Sequence, residues 1–87
     1  MKNTIALLLF LACAPAYAGA NCTKHPKAEW LPEADAKAKI ESMGYKIRKF
    51  KVDGNCYEIY GHNKEGKKAE VYFDAKTLAV VKAEIEK

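Results

Sequence analysis

Residues 5–12 form an unbroken apolar run, Ile5-Ala6-Leu7-Leu8-Leu9-Phe10-Leu11-Ala12, and no other feature of the chain limits its fold as strongly. The run is too short to span a hydrocarbon layer of roughly 30 Å. Lys2 precedes it, Pro15 stops a continuing helix, and Ala16-Tyr17-Ala18 supplies the small residues that a signal peptidase cleft accepts. The pattern predicts a signal peptide over residues 1–18, cut after Ala18. Cys13 offers the alternative of lipoprotein processing, although Phe10-Leu11-Ala12 lacks the leucine usually found three before a modified cysteine. Of the 87 residues, 69 then remain, with 14 basic and 11 acidic side chains and a net charge of +3. One small domain is the ceiling, which excludes barrels, two-lobed kinases and two-half dinucleotide folds. Lys67-Lys68 is the longest basic run in the mature part, so no stripe of charge suits a nucleic-acid backbone, and no second segment is apolar enough to cross a membrane.

Export fixes the redox compartment and with it the reading of the cysteines. Cys13 leaves with the signal, and Cys22 and Cys56 remain as an even pair in an oxidising environment, so they are predicted to be joined. The bridge closes a loop of about 35 residues, which the chain-entropy model values at roughly 4 kcal/mol. That is comparable to the net stability of so small a core. A competing reading assembles Cys22, His25, Cys56 and His62 into a metal or redox site. None of these four has the C-x-x-C or H-x-x-x-H spacing of a compact zinc site, and no metal or other cofactor is expected.

The mature chain begins with a polar stretch, Asn21 to Glu29, that contains Pro26 and reads as an extended lead-in anchored only by its cysteine. Trp30 is expected to cover one end of the core, the alternative being a ring that stacks on a ligand. Pro32 suits a first helical turn, Glu33 and Asp35 lie near the positive end of the helix dipole, and Lys37 and Lys39 follow. Ala36, Ile40 and Met43 recur at helical spacing beside Ala34, and Gly44 sits where a left-handed residue ends a helix, which predicts a helix over 32–43. From Tyr45 the period falls to two. Lys46 to Val52 reads as a strand whose apolar phase slips between Ile47 and Phe50, as a bulge or an edge permits. Asp53-Gly54-Asn55 is a turn, and Cys56 to Gly61, Lys67 to Asp74 and Ala79 to Ile85 are further strands. In the last of them Val81, Ala83 and Ile85 fall on one side. The expected fold class is α+β, one helix packed on a four-stranded antiparallel meander.

The helix covers one sheet face. The other is predicted to expose Glu58, Tyr60, Glu70 and Tyr72 to water, together with Lys68 and Lys82. Cross-strand charge pairing accounts for such a face, and so does partner recognition, since tyrosine joins contact area to a hydrogen-bonding tip. No catalytic constellation is visible. Ser42 is the only serine, neither His25 nor His62 sits in a context that marks a general base, and two carboxylates alone do not define a glycosidase. Each histidine reads as a surface loop residue.

Trp30 before a short helix, Gly44-Tyr45 opening a Lys-rich strand, Cys56-Tyr57-Glu58 opening the next, Gly66, and Glu70-Val71-Tyr72-Phe73-Asp74 with Thr77 together resemble small secreted PepSY-domain proteins. The resemblance covers nearly all of the mature chain. It implies a domain over residues 30–87 behind the extended segment 19–29, a periplasmic or secreted location, and a non-catalytic role in restraining peptidases, as in metallopeptidase propeptides. A protein or peptide partner is implied; the chain itself is expected to be a monomer or a weak homodimer. An accessory role in envelope redox or metal handling is the alternative. After the third strand the family pattern looks like Asp-Pro-x-Thr-Gly, whereas this chain has Asp74-Ala75-Lys76-Thr77-Leu78, so its turn departs from the pattern at two positions.

Overall fold

Pro32 cannot donate a backbone hydrogen bond, and it stands at the boundary where none is needed. In the computed structural model, which describes residues 19–86, it caps helix α1 (Glu33–Ser42) and its carbonyl accepts the amide of Ala36 at 2.9 Å. The predicted signal peptide and Cys13 lie outside the described residues. Glu33 and Asp35 fall in the first turn, and Met43 caps the other end before Gly44, whose φ of 106° is the left-handed conformation expected of it. Of the apolar stripe, Ala36 and Ile40 are fully buried, whereas Met43, at the helix C-cap, is 42% exposed.

Four strands follow, β1 (Lys46–Asp53), β2 (Cys56–His62), β3 (Lys68–Asp74) and β4 (Val80–Ile85), paired antiparallel in chain order. The meander and its α+β class are as expected. The phase slip in β1 is a register shift between Ile47 and Lys49, which places Ile47 opposite Gly61 and Phe50 opposite Ile59. Arg48 is the extra residue. A Cβ on Gly61 would lie 1.8 Å from the Lys46 carbonyl oxygen, so this bend requires a glycine across from it.

A second irregularity corrects the expected face of β4. Tyr72 pairs with Lys82 and Phe73 with Val80, leaving Val81 unpaired between them. Ala83 and Ile85 keep their places opposite Val71 and Ala69, and Val80, not Val81, joins their face. The bulge absorbs one residue and inverts the alternation beyond it.

The core lies between α1 and the sheet and contains Ile40, Ile59, Val71 and Phe73, all fully buried. Its aromatic rim interlocks edge to face: Trp30 meets Tyr57 at 5.4 Å between centroids and Tyr45 meets Phe73 at 5.9 Å. The Trp30 indole donates to the His25 carbonyl at 3.0 Å, and the Tyr57 hydroxyl donates to the Leu31 carbonyl. Trp30 therefore closes one end of the core, as its position before the helix suggested.

The turn between β3 and β4 closes without the proline and glycine of the family pattern. Asp74 Oδ1 accepts the amides of Lys76 and Thr77 at 2.8 and 2.9 Å, and its carbonyl accepts that of Leu78 at 2.8 Å. Leu78 carries the positive φ, 64°, where the pattern has glycine, and its side chain is 4% exposed within the core. Left-handed backbone costs a residue with a Cβ about 1–2 kcal/mol, while deleting a buried leucine side chain costs about 2–5 kcal/mol. Burial wins. Leu78→Gly is therefore expected to destabilise by about 1–3 kcal/mol, and thermal unfolding measures it as a lower Tm. A variant melting at or above wild type would mean that relief of backbone strain dominates.

Candidate binding face

The sheet face opposite α1 is built from alternate residues of every strand. Lys51, Glu58, Tyr72 and Lys82 form one row across it, and Lys49, Tyr60, Glu70 and Glu84 form the next. The structure thus brings Glu58, Tyr60, Glu70 and Tyr72 together as the alternation predicted. It does not leave them all in water. Glu58 is 1% and Tyr72 3% exposed, while Tyr60 remains open at 38%.

The N-terminal segment causes the difference. Cys22 is bonded to Cys56 on this face, and the Gly19 amide donates to the Tyr72 hydroxyl at 3.1 Å. Lys82 Nζ donates to the Gly19 carbonyl at 3.0 Å, and the Ala20 carbonyl lies 3.5 Å from Cys56 Sγ. Further along, His25 Nε2 meets Asp74 Oδ2 at 3.0 Å. The lead-in expected to hang from its cysteine alone is a strap tied at four places, and His25 is one of its ties, not an ordinary loop residue. Period-two reading assigns residues to faces but carries no information about a distant segment that returns to cover one of them.

Under the strap the chemistry is acidic. Burial pushes the Glu58 carboxyl up, a hydrogen bond with Glu70 adds to this, and the same bond holds Glu70 below its ordinary value. Each carboxyl thus sets the other's affinity for a proton, and the two titrate as a pair. Tyr72 donates to Glu70 Oε2 at 3.0 Å, and burial and that bond raise its own pKa. Tyr60 is pushed up to about 12, first by its bond with Glu58. Lys51 Nζ stands 4.0 Å from Glu58 Oε1, and Glu58 Oε2 is buried with no hydrogen-bond partner. Beyond Tyr60 the face opens into a hollow bordered by Arg48, Lys49, His62 and Lys68 on one side and Glu84 and Ile85 on the other.

Cys22 and Cys56 are 5.4 Å apart at Cα and joined to each other, and His25 is committed to Asp74, so the four side chains of the metal reading are not gathered around one point. Among the described residues no group of three or more His, Cys, Asp or Glu is placed to hold a metal ion, and no helix is long and apolar enough to cross a membrane.

The fold is thus a helix-backed meander that presents a charged and aromatic face. The chain belongs to the peptidase propeptide and YPEB domain family, PepSY, whose model matches residues 2–84. Neither the curated proteins nor the solved structures yield a match. Domains of this family are propeptide-like regulatory or binding modules for peptidases, generally non-catalytic and typically extracellular or secreted.

Asp74 ties the strap, the turn and the sheet together. Burial alone would raise its pKa, but the amides of Thr77 and Lys76 and the His25 ring outweigh burial and hold it at about 2. A depressed carboxyl stabilises the fold above its unfolded pKa near 3.8, and the contribution is lost as pH falls toward 2. Asp74→Asn should cost about 2 kcal/mol at pH 7. Melting curves at several pH values should show the gap between wild type and variant closing between about pH 4 and pH 2. A gap that does not change with pH would assign the cost to something other than the charge.

Proposed function

We propose that this chain is an exported, non-catalytic module that restrains a peptidase in the periplasm or outside the cell by lending it the free edge of β4. The observation that carries the reading is the contrast between the two sheet edges. β1 exposes one large apolar side chain, Val52, and is guarded by Lys46, Arg48, Lys49 and Lys51 and bent by its bulge, which are devices that discourage strand addition. β4 leaves Val80, Val81 and Ile85 exposed at 51, 41 and 40%, and no described strand pairs with its outer side.

An extended segment added there would gain main-chain hydrogen bonds, and its alternate side chains would fall on two different surfaces. One is the apolar flank of Val80, Ala83 and Ile85. The other is the open hollow beside Tyr60, Glu70 and Glu84. A peptidase loop with apolar and polar residues in alternation fits both. The family supports the peptidase as the class of partner, and the apolar run at residues 5–12 supports export.

Purified protein is expected to lower peptide hydrolysis in envelope extracts of the source cell. Val80→Lys with Ile85→Lys, both at exposed positions, should raise the concentration needed at least about tenfold without lowering Tm, since a well-placed charge on an edge opposes pairing. Inhibition equally strong in wild type and variant would remove β4 from the reading, and no inhibition by wild type would remove the peptidase.

A further inference from the structure

The acidic pocket under the strap has an acceptor without a donor. Glu58 is 1% exposed and its Oε2 has no hydrogen-bond partner, which for a carboxyl oxygen is a costly arrangement. Tyr72, the cross-strand neighbour of Glu58, accepts from the backbone nitrogen of Gly19 at 3.1 Å and donates to Glu70 Oε2 at 3.0 Å. A Cβ on Gly19 would lie 3.5 Å from Asp53 Oδ2, so a third carboxylate adjoins the same residue. As an amide, this nitrogen has one proton to give, and Tyr72 takes it. As a free amine it would have three and a positive charge.

Gly19 is also the first residue after the predicted cut. We propose that Glu58, Glu70 and Tyr72 form a receptor for the α-ammonium group of the chain's own N-terminus at Gly19, so that removal of residues 1–18 locks the strap onto the sheet. The proposal rests on the export reading and goes beyond it. Hydrolysis of the Ala18–Gly19 peptide bond by one water leaves a carboxylate on the departing Ala18 and a protonated amine on Gly19. The two protons gained appear on a nitrogen that the Tyr72 hydroxyl already links to Glu70 Oε2. A buried or half-buried carboxylate with an ammonium donor is far better matched than one facing a second carboxylate.

The other charges around the site are consistent with this role. From β1, Lys51 lies 4.0 Å from Glu58 Oε1 and leaves Oε2 to another donor. From β4, Lys82 is turned to the Gly19 carbonyl at 3.0 Å and to Glu84 Oε2 at 3.6 Å, so it grips the strap from the opposite side of residue 19. From β2, the Tyr60 hydroxyl is held to Glu58 and stays protonated over the neutral range. Glycine at this position suits the backbone there, whose φ is 83°.

The precursor is to be expressed with export, and the processed product purified and weighed by intact mass spectrometry. Competitive acylation across pH then titrates its α-amine. Two further proteins complete the experiment: one with a single serine inserted between Ala18 and Gly19, which moves the amine one residue outward, and Glu70→Gln. The wild-type product is expected to begin at Gly19. Its α-amine should titrate at least about one unit above the ordinary 7.7–8.0 and react about tenfold more slowly at pH 7.5 than that of the serine-extended protein. Glu70→Gln should return it toward the ordinary value. A product that begins at Gly19 with an ordinary, freely reactive amine overturns the receptor and leaves export standing. A product that keeps residues 1–18, or is cut elsewhere, overturns the export cut and the receptor with it. The serine-extended protein keeps every side chain of the domain, so the comparison survives even if Glu70→Gln fails to fold.

Discussion

The covalent tie between Cys22 and Cys56 is the constraint on which the rest of the arrangement depends. A sheet of four short strands with one helix can cover only one of its faces with that helix. The second face would ordinarily remain wet, and its residues would be chosen for water. By fixing a distant segment to the first residue of β2, the bridge holds residues 19–22 across that face and removes Glu58 and Tyr72 from solvent. The burial of Glu58, the raised Tyr72 phenol and the His25–Asp74 contact go with that placement. Without the bridge, ordering the segment would cost about 1–2 kcal/mol of backbone entropy per residue, with a handful of polar contacts to offset it.

The layer that resulted has helix, sheet and strap in succession, and only the first two were legible in the sequence. Helical spacing of Ala36 and Ile40, the stop at Gly44 and the alternation in β2 and β3 each follow from local pattern, and each is present. The bulge in β1 was visible because the apolar phase slips between Ile47 and Phe50. That in β4 was not, because Val80 and Val81 are chemically alike and either can be assigned to the inner face. Gly61 carried no signal either. Its necessity lies in the Lys46 carbonyl on a neighbouring strand, and contacts of that kind are not written in any window of consecutive residues.

The candidate face shows the same division. Alternation was enough to gather Glu58, Tyr60, Glu70 and Tyr72 on one side of the sheet, since strand pairing preserves faces. Their exposure depended on where residues 19–25 travel, which composition does not reveal. One clue was available. Two cysteines, one in the lead-in and one at the start of a strand, locate the crossing, and the polar face is the side on which Cys56 falls. His25 could have been suspected on the same ground, being three residues beyond the tethered sulfur.

The inequality of the two sheet edges bears on how the molecule can aggregate. A sheet with two receptive margins can recruit copies at both and grow without limit, which is the geometry of fibres. Here one margin is lined by lysines and kinked, while the other exposes Val80, Val81 and Ile85. Under the proposed use of β4, a second copy docked through its own β4 would present only its lysine-lined margin and so end the stack.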